Sequence, residues 1–267
     1  MRGRILIIAG SDPSGGAGVQ ADIKTVTALG GYAAAAITAL TVQNTLGVEA
    51  VRQIEPQFIK DQAKAVIDDI GADAIKVGMI GTADAAEAIA DFIVESAPGI
   101  PVILDPVLVA TSGDALSGQG VASVILERLA PLAAIITPNA IEAEALTGRA
   151  VKSAEDLIAA GEALIQRGAT AALVKGGHLK GAAVEDALVT LGGARVFRNP
   201  RIETKSTHGT GCTLASALAT GVAQGLPLAA AAKRAIDYVH GAIKAAPEFG
   251  GGNGPLNHVW MLKKADD

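Results

Sequence analysis

Short apolar runs alternate with longer segments of helical periodicity along most of this chain. Runs of this kind are typical of strands that are covered on both faces, as in a parallel sheet. They lie at Arg4–Ala9, Ala74–Met79, Val102–Leu104, Ala133–Ile136 and Ala171–Val174. The segments with apolar residues at helical spacing lie at Val19–Leu29, Gln57–Ile70, Ala83–Glu95, Gly118–Leu129 and Ala154–Gln166. This alternation predicts repeated βαβ units and therefore an α/β fold.

The remaining segments complete one predicted domain, residues 1–267. Ala33–Leu40 is rich in alanine, but Gly30 and Gly31 have just ended a helix, so we interpret it as mostly strand. Ala183–Thr190 and Arg195–Phe197 flank Gly192–Gly193, which predicts a hairpin at a sheet edge. Two alanine-rich helices are expected to follow, at Gly211–Gln224 and Leu228–Ala245.

Composition narrows the classes of function. The net charge is −5 and only 3% of the residues are aromatic, which disfavours nucleic acid as a partner. The single cysteine cannot form an internal disulfide, as expected in a reducing compartment. We find neither a charge-free apolar run near 18 residues nor a secretory signal pattern, so we expect a cytoplasmic protein without membrane contact.

A glycine-rich loop follows the first predicted strand. Ala9–Gly18 contains four glycines and opens onto a helix, and Asp22 lies one turn into that helix. The loop lacks the Gly-Lys-Ser/Thr ending of a P-loop and the spacing of a dinucleotide fingerprint. Its glycines serve equally well to form a tight turn, and Asp22 is equally suited to the helix dipole, so a ligand role stays open.

The strongest local signal is Thr207–Thr213, with the sequence THGTGCT, a glycine-rich turn that leads into an apolar helix. Backbone N–H groups at a helix start are unpaired, and small residues let an anion approach them. Such a turn could hold a phosphoryl group in the transition state. Cys212 would lie in the first helical turn, where the dipole lowers a thiol pKa toward that of a general base. A buried cysteine that only packs is the alternative.

Polar residues follow three other predicted strands. Asp105 follows a buried strand, and Asn139 and Glu142 lie three residues apart at a helix start. Oxygen ligands of this kind suit Mg²⁺, although Asn139 and Glu142 also form a plausible capping box. Lys175 follows a further strand and could meet nucleotide phosphates, or it could be a solvated lysine at a strand end.

Taken in order, these segments resemble the hydroxymethylpyrimidine/phosphomethylpyrimidine kinases of thiamin biosynthesis, which belong to the ribokinase-like superfamily. The resemblance extends over nearly the whole chain and rests on eight stretches in the same order. They are Ala9–Asp22, Thr38–Thr45, Lys76–Met79, Asp105–Val107 with Ser112–Asp114, Thr137–Glu142, Lys175–His178, His208–Cys212 and Gly254–His258.

The resemblance implies a three-layer α/β/α sandwich with a mostly parallel central sheet, ATP as phosphoryl donor, Mg²⁺ and a homodimer. It implies phosphorylation of hydroxymethylpyrimidine and then of its monophosphate. It places Gln43 on the aminopyrimidine ring, with Gly10, Asp22, Met79 and Val107 lining the same pocket. Gly209, Thr210, Gly211 and Cys212 match the anion hole, Asp105 and Glu142 match metal positions, and Lys175, Asn139 and Glu142 match nucleotide positions.

Three alternatives stay open. A pyridoxal kinase on the same fold is the nearest, because pyridoxal also presents a hydroxymethyl group on a planar nitrogen ring. A sugar kinase of the superfamily is disfavoured, since it would carry an aspartate in place of Cys212. The third is a nucleotide-binding sensor without catalysis. If Cys212 is a base, it should matter more for the alcohol than for the monophosphate, because only the alcohol must lose a proton.

Overall fold

One sheet organises the molecule. The structure, a computed structural model, describes residues 1–108 and 116–262. Its strands are β1 Arg4–Ser11, β2 Tyr32–Asn44, β3 Gly47–Gln53, β4 Ala74–Val77, β5 Val102–Leu104, β6 Ile135–Ile136, β7 Ala171–Lys175, β8 Ala183–Thr190 and β9 Gly193–Pro200. The strand order is β3-β2-β1-β4-β5-β6-β7-β8-β9. The pairings from β2 to β7 are parallel and those at the two edges are antiparallel, which confirms the mostly parallel sheet.

Helices cover both faces of the sheet. They are α1 Gly18–Ala28, α2 Pro56–Asp69, α3 Ala83–Ser96, α4 Val121–Val124, α5 Ala140–Thr147, α6 Ala154–Gln166, α7 Thr210–Ala223 and α8 Leu228–Lys244. Helices α1, α7 and α8 pack on one face, and α2 to α6 pack on the other. Within residues 1–108 and 116–262, no helix is both long enough and apolar enough to cross a membrane.

The central strands are apolar at consecutive positions instead of alternating with polar residues, and strand β1 shows the reason. Leu6 and Ile8 pack into the core beneath α2 and α3, whereas Ile5 and Ile7 pack into the core beneath α1 and α7. All four side chains are at most 1% exposed. A strand covered on both faces must be apolar at consecutive positions, so the run in the sequence follows from the three-layer architecture.

The chain reverses its direction across the sheet beside β1. It passes from β1 outward to β2 and β3, then returns to β4 on the other side of β1 and continues to β9. Crevices at such switch points, beyond the carboxyl ends of the strands, are where open α/β sheets bind ligands. The residues that follow β1, β4, β5, β6 and β7 are therefore placed at one common edge.

Two elements differ from the sequence predictions. The helix predicted at Gly118–Leu129 is a short α4 followed by a π-helical turn, Ile125–Leu129, and a 3₁₀ turn that contains Pro131. Its buried residues Val121, Ile125 and Leu129 recur every four positions, so the segment still presents one face to the core. Strand β3 was not predicted, because most of its side chains are exposed and it carries no burial pattern.

Candidate active site

An ion pair lies where β5, β6 and β7 end. Asp105 directly follows β5, Lys175 is the last residue of β7, and Lys175 Nζ lies 2.9 Å from Asp105 Oδ1. Thr137, which follows β6, donates its hydroxyl to the same oxygen at 3.1 Å. All three residues are buried. Three neighbouring parallel strands therefore deliver a cation, a carboxylate and a hydroxyl to one point.

The second oxygen of Asp105 is left without a partner. Asp105 Oδ2 is buried and accepts no hydrogen bond from the described residues. A buried carboxylate oxygen without a partner is costly unless a ligand, a metal ion or water completes it. Burial lowers the pKa of Lys175, but the charges of Asp105 and Glu142 outweigh this effect and raise it, so the lysine stays charged.

Asn139 and Glu142 form the predicted capping box at the start of α5. Asn139 Oδ1 accepts from the backbone N–H of Ile141 at 2.9 Å and of Glu142 at 3.0 Å, and Glu142 Oε2 accepts from the N–H of Asn139 at 2.8 Å. Burial raises the pKa of Glu142 to about 7, against the opposing charge of Lys175 and with a further contribution from Asp105. The cap thus holds a carboxyl that titrates near neutral pH.

The glycine-rich turn meets this ion pair at the start of α7. Gly209 precedes the helix at φ +79° without a side-chain cap, and the Thr210 N–H donates to the Thr207 carbonyl at 3.4 Å, so the amides of Gly211 and Cys212 are the ones left for a ligand. A Cβ placed on Gly211 would lie 3.1 Å from Lys175 Nζ and 3.7 Å from Asp105 Oδ2. The turn and the ion pair are therefore in close contact, with no room for a side chain at Gly211.

Cys212 lies in the first turn of α7, as predicted, but its acidity does not match the prediction. The half-buried thiol is free, and burial raises its pKa to about 11. The positive charge of Lys76 and a hydrogen bond from the Gly18 N–H oppose this rise, whereas the carboxylates Asp22 and Asp105 add to it. The expected lowering by the helix dipole is wrong for this chain, because desolvation and two neighbouring acids outweigh it.

These groups line one cleft of about 520 Å³. Apolar side chains of α7 and α8 form part of its wall, namely Leu214, Ile236, Val239 and Ile243. The site residues predicted from the sequence that line it are Gln43, Asp105, Val107, Asn139, Glu142, Lys175, Gly209, Thr210, Gly211 and Cys212. Apolar walls with a few converging charged groups are typical of small-molecule sites.

The chain that forms this cleft matches a known family in sequence. The model of the phosphomethylpyrimidine kinase family matches residues 12–257, nearly the whole chain. The chain belongs to this family. Its fold is thus that of a phosphomethylpyrimidine kinase family member, as the resemblance implied.

Individual relatives agree with the family. The chain is 46% identical over 258 residues to the hydroxymethylpyrimidine/phosphomethylpyrimidine kinase of Rhizobium meliloti, covering 95% of this chain and 96% of that protein. It is 47% identical over 266 residues to the thiamine biosynthesis bifunctional protein ThiED of Geobacter sulfurreducens, and it spans 54% of that longer protein. An ADP complex of Bacillus subtilis pyridoxal kinase superposes with a TM-score of 0.89 at 34% identity, covering 98% of this chain and 99% of that chain.

Three residues that the family resemblance assigned to the pocket lie deeper than the cleft surface. Gly10 and Met79 are neighbours, since a Cβ on Gly10 would lie 2.8 Å from Met79 Sδ, and Met79 is buried. Asp22 is fully buried, where it pairs with Lys76 at 2.8 Å and accepts from the Ser216 hydroxyl at 2.6 Å. Their contacts with a substrate stay a prediction. Ser112–Asp114 lies outside the described residues.

The site also contains residues that the sequence analysis did not assign. Asp186 on β8 lies opposite Lys175, accepts from the N–H of Gly176 at 2.9 Å and lines the cleft. Burial raises its pKa to about 6. The pair of acids Glu185–Asp186 next to the apolar run Ala187–Val189 was the available signal. His208 also lines the cleft and lies 2.8 Å from Asp12 Oδ2, a contact between distant segments that no local pattern could indicate.

Proposed function

We propose that this protein transfers the γ-phosphoryl group of ATP to the hydroxymethyl group of 4-amino-5-hydroxymethyl-2-methylpyrimidine and then to the resulting monophosphate. The observation that carries the proposal is the position of Gly211 against the Lys175–Asp105 ion pair, inside a cleft that also contains Gln43. The family match over residues 12–257 supports the reaction class.

The geometry suits phosphoryl transfer by positioning and electrostatics. The substrate oxygen forms a bond to the γ-phosphorus, the bond from that phosphorus to the bridging oxygen breaks, and ADP leaves while the hydroxyl proton is released. Charge accumulates on the phosphoryl oxygens in a loose transition state, and little covalent chemistry is required of the protein. The amides of the turn at Gly209–Cys212 and the ammonium of Lys175 are the groups placed to stabilise that charge.

Cys212 contributes to this scheme as a neutral thiol. With a pKa of about 11, it is protonated in the free protein at neutral pH and cannot accept the substrate proton. A base is also of limited value while the transition state is loose. We therefore assign Cys212 to the anion hole, through its backbone N–H and its small side chain, and not to proton abstraction.

The donor set fits Mg²⁺ bound together with nucleotide phosphates. In the part of the chain that the structure describes, no group of three His, Cys, Asp or Glu side chains could hold a metal ion. Magnesium typically takes one or two carboxylates and completes its shell with water and phosphate. Asp105, with its unpartnered Oδ2, and Glu142 supply that number of ligands. When bound, the metal would neutralise charge on the transferred phosphoryl group.

The nucleotide is assigned to the apolar side of the cleft. Leu214 on α7 and Ile236, Val239 and Ile243 on α8 line it, which suits the faces of an adenine ring. Lys175, Asn139 and Glu142 lie at the carboxyl ends of β6 and β7, where the phosphates would follow. The Bacillus neighbour was solved as an ADP complex, which supports the use of this cleft for a nucleotide.

Gln43 is the residue assigned to ring recognition. Its Oε1 lies 3.1 Å from the Thr41 hydroxyl, which also lies 3.0 Å from the Ser11 carbonyl, so the carboxamide is held next to the end of β1. A carboxamide can donate to a ring nitrogen and accept from the adjacent amino group. Val107 lies in the same cleft, and Gly10, Met79 and Asp22 are proposed as the layer behind it.

Pyridoxal is the second candidate acceptor, because the Bacillus neighbour is a pyridoxal kinase with 34% identity over nearly the whole chain. We expect the pyrimidine to be preferred, given the identity of 46% to the Rhizobium enzyme. Turnover of ATP with the pyrimidine, its monophosphate and pyridoxal, each followed by mass analysis of the product, tests the assignment. Absence of a phosphorylated pyrimidine would refute it, and absence of any transfer would favour a non-catalytic sensor.

We also propose that the chain acts as one kinase domain that forms a homodimer. All nine strands described belong to one sheet, which supports a single domain. The β2–β3 edge exposes Leu40, Val42 and Leu46, with exposed fractions of 46%, 55% and 72%. Contiguous apolar residues on a sheet edge are typical of an interface. The cytoplasmic location stays a prediction from the sequence.

A further inference from the structure

Asp12 organises the glycine-rich loop after β1. Its carboxylate accepts from the N–H of Ser14 at 2.8 Å, from the Ser14 hydroxyl at 2.9 Å and from the N–H of Ala17 at 2.8 Å. Asp12 is only 2% exposed, so these hydrogen bonds replace water around the charge. The loop is thereby closed into a fixed shape immediately before α1 begins.

The same carboxylate reaches across to the anion-hole turn. His208 Nε2 lies 2.8 Å from Asp12 Oδ2, and His208 is 5% exposed. Burial alone would raise the pKa of Asp12, but the hydrogen bonds from His208, Ser14 and Ala17 outweigh it and hold that pKa below its usual value. Four hydrogen bonds hold the buried Asp12 carboxylate in one position, and one of them comes from His208.

Two glycines permit this close approach. A Cβ on Gly16 would lie 2.3 Å from the His208 ring, and a Cβ on Gly209 would lie 1.9 Å from the Gly16 carbonyl oxygen. Gly209 also adopts φ +79°, a conformation that side chains disfavour. Any larger residue at position 16 or 209 would therefore push the loop and the turn apart.

The other side of His208 is held by the C-terminal segment. The backbone N–H of His208 donates to the Gly254 carbonyl at 3.1 Å, and His208 forms a parallel bridge with Pro255. The residue is therefore fixed through its side chain and its backbone at once. Gly209 and the anion-hole amides follow it directly, so their position depends on where His208 is held.

We infer that Asp12 and His208 are positioning residues that hold the anion-hole turn against the loop at residues 12–18. The inference rests on the proposed function. Neither residue needs to touch the transferred phosphoryl group. Their effect is to keep the amides of Gly209–Cys212 in place before the transition state forms, which is where a preorganised oxyanion site gains its advantage.

The test compares His208→Leu, His208→Gln and Asp12→Asn with the parent enzyme. Glutamine keeps a donor close to the position of Nε2, whereas leucine removes it at similar volume. We expect His208→Leu to lower kcat about 100-fold, the typical loss when an oxyanion site is disturbed, with KM values within about threefold. His208→Gln should stay within about tenfold of the parent, and Asp12→Asn should lower kcat about tenfold.

A binding measurement separates positioning from general loss of structure. ADP affinity should be unchanged in each folded variant, while the affinity for ADP with aluminium fluoride should fall in parallel with kcat. The double variant Asp12→Asn with His208→Leu should be no worse than His208→Leu alone, because both changes break one contact. If His208→Leu does not fold, the same comparison is made between Asp12→Asn and His208→Gln.

The inference is overturned if His208→Leu and His208→Gln lower kcat by the same factor, or if the kcat losses of Asp12→Asn and His208→Leu add in the double variant. It is also overturned if the variants lose affinity equally for ADP and for ADP with aluminium fluoride. It is also overturned if parent-like kcat persists in His208→Leu or Asp12→Asn. A parent enzyme that transfers no phosphate to the pyrimidine would instead refute the proposed function, so the two failures are distinguishable.

Discussion

Gly211 on α7 and Lys175 at the end of β7 meet in the cleft. The Cβ position of Gly211 lies 3.1 Å from Lys175 Nζ, and the same ammonium is paired with Asp105. The start of α7 and the end of β7 thus approach so closely that a methyl group does not fit between them without a shift. That juxtaposition of unpaired amides and a buried ammonium is the basis for a phosphoryl site.

Gly211→Ala should lower kcat while the protein stays folded. The new methyl group would lie tighter against Lys175 Nζ than nearly all side-chain contacts, so the lysine or the turn must shift by a few tenths of an ångström. We expect a loss of about tenfold or more, since small displacements of aligned groups are costly in catalysis. Gly192→Ala is the matched control, because its Cβ would meet only the Thr190 hydroxyl at 3.6 Å in the distant hairpin. Equal kcat values for the two variants would contradict this prediction.

Lys175→Met should damage both activity and stability, for different reasons. It removes the ammonium that faces the turn, and it leaves the buried Asp105 carboxylate without its cation. Breaking a buried pair from one side typically costs about 3–5 kcal/mol in the free energy of unfolding. The double variant Lys175→Met with Asp105→Asn should regain stability in urea unfolding but no activity. Recovery of activity in the double variant would show that the lysine acts only through folding.

Cys212→Ala should lower the rates of both phosphorylation steps by similar factors. Burial raises the pKa of the thiol to about 11, so it is protonated at neutral pH in the free protein, and we propose no proton-accepting role for it. Because Cys212 is the single cysteine of the chain, the pH dependence of its alkylation rate, followed by mass, reports the ionisation of this thiol alone, and we expect titration near pH 11. A larger loss for the alcohol than for the monophosphate, or a thiol that titrates near neutral pH, would restore the base role predicted from the sequence.

Glu142 should make the stability of the free protein depend on pH. Burial raises its pKa from 4.5 to about 7, so the folded state holds a proton that the unfolded state has lost between these values. Its contribution to stability is complete below about pH 4.5 and is lost as the pH rises to about 7. Urea unfolding at pH 5 and pH 8 should therefore show a larger decline for the parent than for Glu142→Gln. Asp186 and His258 also have shifted pKa values, but both proteins contain them, so the difference in decline reports Glu142 alone. An identical decline in both proteins would contradict the raised pKa of Glu142.

The sequence predicted the fold well where burial leaves a pattern. The consecutive apolar residues Ile5–Ile8 indicated a strand covered on both faces, and the Asn139–Glu142 spacing indicated the capping box that the structure contains. Strand β3 was missed because an exposed edge strand forms through pairing with β2 and carries no apolar alternation.

The chemistry of the site was harder to predict, because it depends on contacts between distant segments. The pKa of Cys212 is set by burial and by Lys76 and two acids from other elements, and no local rule at a helix start could include them. The Asp12–His208 contact joins residues 196 positions apart. Asp22 was expected in the pocket wall, but its pairing with Lys76 places it in the interior.

The most direct test of the account is a crystal structure of the protein with ADP, Mg²⁺, aluminium fluoride and the pyrimidine alcohol. We predict that the fluoride group lies beside the contact of Lys175 with Gly211, within hydrogen-bond distances of about 3 Å of the Lys175 ammonium and of the amides of Gly211 and Cys212. The pyrimidine ring should lie beside Gln43, with its hydroxymethyl oxygen facing the aluminium. A complex in which the fluoride group lies away from this turn, or the ring away from Gln43, would contradict the central claim.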